Sequence, residues 1–531
     1  VLARNGILFL MAWETMVLSS FFLVTFEDER AETCQAGWIY LVASHAGTAF
    51  LLVLFVLLGK AYGSMDFDHF TASSGTGLLF VLALLGFGAK AGFIPLHVWL
   101  PEAHPAAPSH VSAVMSAVMI KTGIYGLLRV LMFLGPAQAW WGWTFCAIGM
   151  TSGIFGVVLA LAQHDLKRLL AYHSVENIGI IALGLGVGII GLSTQAPAVA
   201  VAGFAGALLH VLNHALFKGL LFLAAGNVAH GAHTRDIDHL GGLLRRMPRT
   251  GVTFLIGATA ISGLPPLNGF VSEFLIYLGS FHGVLSLAGG NVVAMLSTIA
   301  GLALIGGLAA ACFTKAFGIS FLGQPRTQQA EHAHEPGVAM LLPGFVLAAG
   351  CILIGLFGAS VVRSMGPLIS SVTGLSPIPV GQSLAEAAHS IAMVSYFGVA
   401  LIATTILLTL GRAIALAYRP VRAAATWDCG YAQPSPRMQY TASSFAQPLT
   451  ETFAMLLQTR RVVTAPRGLF PQEAEFHTHT DDPYQAHLFE PLLHAISAGM
   501  SSLRPLQQGK VQLYVLYIAI TLLVLLLWQI A

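Results

Sequence analysis

The chain of 531 residues carries a formal net charge of +2, and only 9% of its residues are charged while 56% are apolar. Soluble domains carry roughly 25% charged residues, so this composition excludes an ordinary soluble protein, and the weak, scattered basic charge excludes a nucleic-acid-binding surface. The apolar stretches reach about 20 residues, twice the length of a β-barrel strand. They predict an all-α polytopic membrane protein.

Apolar runs between polar or Gly- and Pro-rich segments predict twelve membrane spans. In chain order they lie near residues 5–26, 38–58, 76–100, 110–134, 142–163, 170–192, 198–229, 250–282, 291–322, 337–361, 389–418 and 511–530. Residues 323–418 thus add spans after the first nine, and residues 511–531 form a last span.

The basic residues of the loops predict the orientation, because cytoplasmic loops carry the excess of Lys and Arg. One side has Arg30, Lys167, Arg168, Arg235, Arg245, Arg246, Arg249 and Arg326, and the other has Arg4, Lys60 and Arg363. We therefore expect loop 164–169 and the polar segment 419–510 in the cytoplasm, and the C-terminus outside.

The polar segment also contains an apolar stripe at helical spacing. Its members are Phe489, Leu492, Leu493, Ile496, Met500 and Leu503. The stripe predicts an amphipathic helix lying on the membrane surface or on neighbouring subunits. A helix packed inside a small cytoplasmic lobe remains the alternative.

Ionisable residues inside the spans recur five spans apart. The pairs are Glu14 with Glu176, His45 with His210 and His214, Lys90 with Glu273, and Lys121 with Lys315. Because an odd offset reverses the helix direction, this pattern indicates an inverted repeat. Residues 1–134 and 135–322 are the predicted halves.

The third and eighth spans place Gly and Pro beside an ionisable residue, in GFGAKAGFIPLHVWLP and SGLPPLNGFVSEF. Proline removes a helical hydrogen bond and clashes with the preceding turn, so both helices should be discontinuous there. Lys90 and Glu273 flank the two breaks, and His97 is a candidate relay. The following LPEAHPAAPSH is expected to form a cytoplasmic turn with Glu102, His104 and His110 solvated or interfacial rather than buried.

In the seventh span His210, His214 and Lys218 recur every four residues and share one helix face. Histidine and a lysine in an apolar site can both take up and release protons near neutral pH. The candidate proton-transfer residues are Glu14, Lys90, Lys121, His210, His214, Lys218 and Glu273, with His97, Glu176 and Lys315 as weaker candidates. Structural ion pairing is the alternative, and Lys315 suits an interfacial anchor equally well. Lys167 and Arg168 are predicted to be topology determinants.

The stretches GFGAKAGFIPLHVWLPEAHPAAPSHVSAVMSAVMIKTGIYGLLR, HVLNHALFKGLLFLAAG and AISGLPPLNGFVSEFLI resemble the antiporter-like membrane subunits of complex I, Mrp antiporters and group 4 hydrogenases. WDCGYAQPSPRMQYTASSFAQPL and KVQLYVLYIAITLLVLLLW resemble hydrogenase-4 component B and formate hydrogenlyase subunit 3. The resemblance implies a fourteen-helix core of inverted five-helix bundles with discontinuous helices, in a prokaryotic cytoplasmic (inner) membrane. Members begin several helices before WETM, so N-terminal helices are expected to be missing.

The resemblance also implies roles for the site residues. Glu14 and Lys90 would be the paired acid and base of a first half-channel, Lys121 with His210, His214 and Lys218 a central connection, and Glu273 the terminal site. The chain contains no recognisable ligand set for a metal or cofactor, so Fe–S clusters and a NiFe or flavin centre are expected in partner subunits.

The expected function is that of a proton-translocating membrane subunit of a redox-driven complex, with other membrane subunits and a peripheral redox arm as partners. The chain itself is not expected to catalyse a reaction. Three alternatives remain: an Mrp-type sodium/proton antiporter module, a partner in inorganic-carbon uptake, and a structural membrane anchor.

Overall fold

Helices form nearly all of the regular structure in the computed structural model, which describes residues 1–70, 76–420, 435–436, 438–465, 468, 475–501, 509 and 511–530. The WDCGY motif and Leu503 of the predicted amphipathic stripe lie outside the described residues.

Six helices make up the first predicted half. They are α1 (Gly6–Val24), α2 (Ala31–Tyr62), α3 (Thr76–Ala91), α4 (Trp99–Ala106), α5 (Ser109–Val114) and α6 (Ile120–Phe133). A π-helical turn, Met115–Met119, joins α5 to α6.

Seven helices follow in the second predicted half. They are α7 (Ala139–Leu161), α8 (Leu166–Ser193), α9 (Pro197–Ala232), α10 (Leu243–Arg246), α11 (Pro248–Ile261), α12 (Asn268–Ser286) and α13 (Gly290–Phe321). The boundaries of the two halves stay a prediction.

The chain continues with helices α14 (Gln328–Glu331), α15 (Val338–Leu356), α16 (Gly358–Ser364), α17 (Gly366–Thr373), α18 (Pro377–Leu416), α19 (Ala442–Thr452) and α20 (Ala454–Leu457). Two short antiparallel strands follow, β1 (Arg460–Thr464) and β2 (Glu475–His479), with Arg460 opposite His479.

Residues 481–530 form a separate unit with a π-helical turn at Gln485–Phe489 and helices α21 (Glu490–Ser501) and α22 (Val511–Ile530). The predicted amphipathic stretch is helical, and its placement on a membrane surface stays a prediction.

The predicted membrane spans agree with these helices. Ten of the described helices are long and apolar enough to cross a bilayer. The other two predicted spans are the third and the eighth, and each is split, into α3 and α4 and into α11 and α12. The prediction of an all-α bundle with two discontinuous helices is therefore confirmed.

Helices α8 and α9 form the centre of the bundle. In α8, 94% of the apolar window is buried within the protein, against 28% in α1 and 17% in α18. Glycines let α7 and α8 approach closely, because a Cβ on Gly149 would lie only 2.7 Å from the Gly179 carbonyl oxygen. Polar side chains on α8 and α9 are consequently shielded from lipid.

The described residues between 438 and 480 pack on the loops at one end of the bundle. The Asp238 carboxylate accepts a hydrogen bond from the Ala442 backbone N–H at 2.7 Å and lies 2.7 Å from His164 Nδ1. His164 Nε2 is in turn 2.8 Å from the Thr478 hydroxyl on β2. Burial by itself raises the pKa of Asp238, but the hydrogen bonds outweigh it and hold the pKa below its ordinary value of 3.8.

Asp238→Asn should loosen the attachment of the described residues between 438 and 480. The neutral amide of asparagine cannot replace the carboxylate in its contacts with both the Ala442 N–H and His164. A lowered pKa means that the ionised form stabilises the fold, so the attachment should hold at neutral pH and weaken as the pH falls below about 4. Hydrogen exchange of the α19 and β1 amides should accelerate about tenfold in the variant. The exposed Glu331→Gln is the control, and unchanged exchange in Asp238→Asn would contradict this role.

Candidate functional site

The first helix break places Lys90 in the last turn of α3. Gly92 has a φ of +87°, a left-handed conformation that ends the helix. Lys90 is 3% exposed, and its Nζ donates a hydrogen bond of 2.8 Å to the Tyr40 hydroxyl. The ammonium also lies over the Tyr40 and Trp99 rings, 4.8 Å and 5.7 Å from their centroids. A cation at this end complements the negative end of the α3 dipole.

Glu14 on α1 lies 3.1 Å from Nε2 of His45 on α2. Their side chains are 30% and 47% exposed, so the pair lies at the surface of α1 and α2. No direct ion pair joins Glu14 to Lys90 in the part of the chain that the structure describes. The paired role of Glu14 and Lys90 therefore stays a prediction, and the structure adds His45 as the immediate partner of Glu14.

The second break lies beside Glu273, which is in the second turn of α12. Gly263, between α11 and α12, has a φ of +62°. A Cβ at Gly263 would lie 2.5 Å from Glu273 Oε2, so the carboxyl group lies directly against the break. The lysine thus precedes the first break, and the glutamate follows the second.

The predicted row on α9 is buried along its whole length. His210 Nδ1 lies 3.0 Å from the Ser272 hydroxyl, and its Nε2 lies 3.1 Å from Asn177 Oδ1. The His210 and His214 rings are nearly parallel, with centroids 6.4 Å apart and an angle of 14°. Neither nitrogen of the His214 ring has a hydrogen-bond partner among the described residues. Because Ser272 immediately precedes Glu273, this row reaches the second break.

Lys218 and Lys121 continue the buried polar groups. Lys218 is fully buried and donates a hydrogen bond to the Leu170 carbonyl on α8. Lys121 donates to the carbonyl of Ser116 in the π-helical turn, where the helical hydrogen-bond pattern is altered. The charges of both lysines act on His214. The structure therefore brings together the residues predicted to form the central connection.

His104 is the main functional candidate that sequence reasoning missed. Residues 100–106 were expected to lie in a solvated turn, but they belong to α4, and His104 is 0% exposed. The His104 ring stacks on the Phe222 ring, with centroids 4.8 Å apart and an angle of 18° between the planes. Lys218 Nζ lies 5.2 Å from the centroid of the Phe222 ring. Pro101 is tolerated because it lies in the first turn of the helix.

Glu102 and His110 were predicted to be solvated or interfacial, and neither of them is buried. Glu102 is partly buried and forms an ion pair with Arg168. His110 is exposed, as predicted.

A buried acid–histidine pair lies on α8. Glu176 forms an ion pair with His173 three residues earlier, and both side chains are almost fully buried. The Asn177 side-chain amide donates to Glu176 Oε2 at 3.3 Å, while its carbonyl oxygen lies at hydrogen-bond distance from His210. Glu176 is thus linked to the α9 row through Asn177, and His173 was not predicted.

His97 lies within the first break and is completely buried. Its Nδ1 is 3.3 Å from the Pro95 carbonyl oxygen, and its ring centroid is 6.4 Å from that of Tyr172. A relay role for His97 stays a prediction.

Lys315 binds the end of a helix. Its Nζ donates hydrogen bonds of 2.7 Å and 2.8 Å to the carbonyl oxygens of Leu161 and Gln163, where α7 ends. Lys167, predicted to be a topology determinant, is only 2% exposed and donates to the Ala107 carbonyl just after α4. These lysines satisfy carbonyl groups that a helix end leaves without partners. The contacts favour a structural role for Lys315.

The described residues contain no group of three or more His, Cys, Asp or Glu side chains that could hold a metal ion. The site instead consists of buried groups that gain or lose protons, between two helix breaks. Its arrangement suits proton transfer along hydrogen-bonding side chains.

Residues 3–302 match the family described as NADH:quinone oxidoreductase/Mrp antiporter, transmembrane. The chain belongs to this family of antiporter-type membrane proteins. Hydrogenase-4 component B from Escherichia coli (strain K12) is 39% identical over 547 residues, which cover 98% of this chain and 80% of that protein.

Two further comparisons cover different shares of the chain. A protein from Rhizobium meliloti (strain 1021), described as part of a probable K(+)/H(+) antiporter, is 32% identical over 70% of this chain and 36% of its own length. A chain of the membrane-bound sulfane sulfur reductase, an archaeal respiratory membrane complex, superposes with a TM-score of 0.70 and 25% identity over 99% of this chain and 81% of that chain.

Lys315→Met should destabilise the protein, because the α7 carbonyl groups lose their donor inside the bundle. We expect the free energy of unfolding to fall by about 1–3 kcal/mol. This would be measured as a lower unfolding temperature and a lower yield of purified protein. The exposed Lys60→Met is the control. Wild-type stability combined with lost proton translocation would contradict the structural role and return Lys315 to the proton path.

Proposed function

We propose that this chain is the proton-translocating membrane subunit of a multi-subunit, redox-driven complex of the hydrogenase-4 type. The observation that carries this proposal is the buried row His210, His214 and Lys218 between two broken helices, with Lys90 at one break and Glu273 at the other. Each charge inside a membrane span costs several kcal/mol unless protein groups or water solvate it, so such residues are functional by default.

The first half of the path would work through the charge of Glu14. In the structure Glu14 lies beside His45, while Lys90 is bound to the Tyr40 hydroxyl. This arrangement fits a state in which the acid and the base are separated. Without a nearby counter-charge the ammonium of Lys90 is less favourable in the bundle interior, so Lys90 would pass its proton onward.

The central groups would carry the proton toward Glu273. Lys121, Lys218, His104 and His210 all act electrostatically on His214, and His210 lies 3.0 Å from the Ser272 hydroxyl next to Glu273. The unpartnered ring nitrogens of His214 and His104 leave each ring able to accept a proton or to bind water. Glu273 would then release the proton at the second break.

This transport needs an energy source outside the chain. Moving one charge against the membrane potential costs about 2.3 kcal/mol per 100 mV. We propose that partner subunits holding Fe–S clusters and a NiFe or flavin centre supply it by electron transfer. Hydrogenase-4 component B and the sulfane sulfur reductase chain, whose names denote redox complexes, support this assignment.

The surface pair of Glu14 and His45 supports a neighbouring membrane protein in the complex. An ionisable pair facing lipid is expensive, so a partner would cover this face of α1 and α2. The basic loops support a cytoplasmic location for loop 164–169 and an inner-membrane location for the complex. A peripheral redox arm would complete the assembly.

An Mrp-type sodium/proton antiporter is the second candidate. It is less favoured because similarity to hydrogenase-4 component B covers 98% of the chain, including the part beyond residue 302, whereas the antiporter protein matches 70%. An antiporter would move protons in response to a sodium gradient without any redox substrate.

Lys90→Ala and Glu273→Ala should each abolish redox-driven proton translocation while the complex still assembles, because each change removes a proton-carrying group and no structural ion pair. The measurement is acidification in liposomes that contain the purified complex, followed with a pH-sensitive dye.

The controls remove the same charges at exposed positions, Lys60→Ala and Glu331→Ala, and should translocate normally. Undiminished translocation in both site variants would reduce the chain to a scaffold. Sodium-dependent proton movement without electron transfer would favour the antiporter function instead.

A further inference from the structure

Two helices outside the predicted repeat press on the break beside Glu273. Gly355 on α15 and Gly398 on α18 lie against Pro266, between α11 and α12. A Cβ on Gly355 would lie 2.0 Å from the Pro266 carbonyl oxygen, and a Cβ on Gly398 would lie 2.4 Å from the Pro266 Cβ. These distances leave no room for a methyl group. Both helices therefore contact the break only because these positions are glycine.

The two glycine-bearing helices are joined to each other at the same level. The Ser395 hydroxyl on α18 donates a hydrogen bond of 3.2 Å to the Gly355 carbonyl on α15, and Ser395 is buried. We call Gly355, Ser395 and Gly398 the brace.

The break is also attached to α9. The Asn213 side-chain amide donates to the Asn268 carbonyl at 2.7 Å and to the Ser272 hydroxyl at 2.9 Å. The Asn268 amide donates back to Asn213 Oδ1 at 3.2 Å. The break is therefore held between α9, which carries the proton row, and the brace.

The position of Pro266 is coupled to the position of the Glu273 carboxyl group. Pro266 lies only three positions after Gly263, and the carboxyl group of Glu273 lies on Gly263. A Cβ on Gly269 would lie 1.9 Å from the Ala260 carbonyl, so the ends of α11 and α12 are also in tight contact. A shift of Pro266 must consequently move the surface on which Glu273 rests, because close-packed groups cannot deform independently.

We propose that Gly355 and Gly398 are positioning residues for Glu273, and that the brace fixes the broken helix in the geometry that the terminal proton site needs. This proposal rests on the proposed function, since it assigns Glu273 as that site. It extends the functional unit beyond the predicted repeat to α15 and α18.

The test compares alanine variants on and off the contact. Gly355→Ala and Gly398→Ala add a methyl group against Pro266, whereas Gly381→Ala and Gly411→Ala add one on α18 with nothing within 4 Å. Ser395→Ala removes the hydrogen bond from Ser395 on α18 to the Gly355 carbonyl on α15 without adding volume. It therefore tests the brace even if a glycine variant assembles poorly. The initial rate of redox-driven proton translocation is measured against pH in the reconstituted complex and normalised to the amount of assembled complex.

Glu273 interacts electrostatically with Glu176 on α8 and with Tyr277 on its own helix, and both are unchanged in these variants. The brace variants should lower the normalised rate at neutral pH by about threefold or more and shift its half-maximal pH by about half a unit. The two control variants should match the wild type.

Wild-type pH profiles in all three brace variants would overturn the proposal, even with reduced assembly, because a merely structural role changes the amount of complex and not the pH dependence. The variant Glu273→Gln distinguishes failure of the proposed function from failure of the positioning role. If it translocates normally, the proposed function fails; if it is inactive while the brace variants keep the wild-type profile, only the positioning role fails.

Discussion

An ammonium group inside a helix bundle must be solvated by polar atoms of the protein or by bound water, because the hydrocarbon of the membrane cannot solvate it. Among the described residues five lysines are buried, and each donates to an uncharged oxygen. The pairs are Lys90 with the Tyr40 hydroxyl, and Lys121, Lys167, Lys218 and Lys315 with backbone carbonyl groups. Within that part of the chain, none of the five forms an ion pair with a carboxylate. A carboxylate would hold the ammonium in its charged form, whereas a neutral oxygen leaves the lysine able to release its proton.

Three of the five buried lysines find their acceptors where regular helix is interrupted. A continuous helix uses most of its carbonyl groups internally, so carbonyls without helical partners occur mainly at helix ends and altered turns. The π-helical turn provides the carbonyl for Lys121, the end of α4 is followed by the carbonyl for Lys167, and the end of α7 provides those for Lys315. Irregular backbone thus provides acceptors for three of the five buried cations, whereas Lys90 uses the Tyr40 hydroxyl and Lys218 uses a carbonyl within α8.

The two histidines of the α9 row differ from the buried lysines, because one ring is hydrogen-bonded and the other is not. His210 is fixed between Ser272 and Asn177, while the neighbouring His214 ring has no partner among the described residues. A hydrogen-bonded ring next to a ring without a partner provides a positioned proton donor beside a group that is free to accept the proton. Asn213 attaches this row to the second break, so the row and Glu273 form one mechanical unit.

Sequence periodicity and composition predicted the spans, the two breaks and the α9 row, because these depend on local patterns of apolar residues, proline and charge. The burial of His104 was missed since the prolines around it indicated a turn, whereas residues 100–106 are helical and the His104 ring stacks on Phe222 of α9 in the interior. The partner of Glu14 was also missed, because it depends on how α1 and α2 are rotated against each other. Lys315 could be assigned to a helix end only when the end of α7 was located in space. Tertiary contacts of this kind leave no signal at a fixed sequence spacing.

The most direct test of the account is the proton-to-electron ratio of the reconstituted complex carrying Lys218→Met. Lys218 is fully buried at the centre of the proposed path, and its ammonium is bound to the Leu170 carbonyl oxygen. The account predicts that the variant assembles and transfers electrons while protons translocated per electron fall clearly below the wild-type value. An unchanged ratio in the fully assembled variant would contradict the claim that protons cross the bundle through its buried lysine and histidine row.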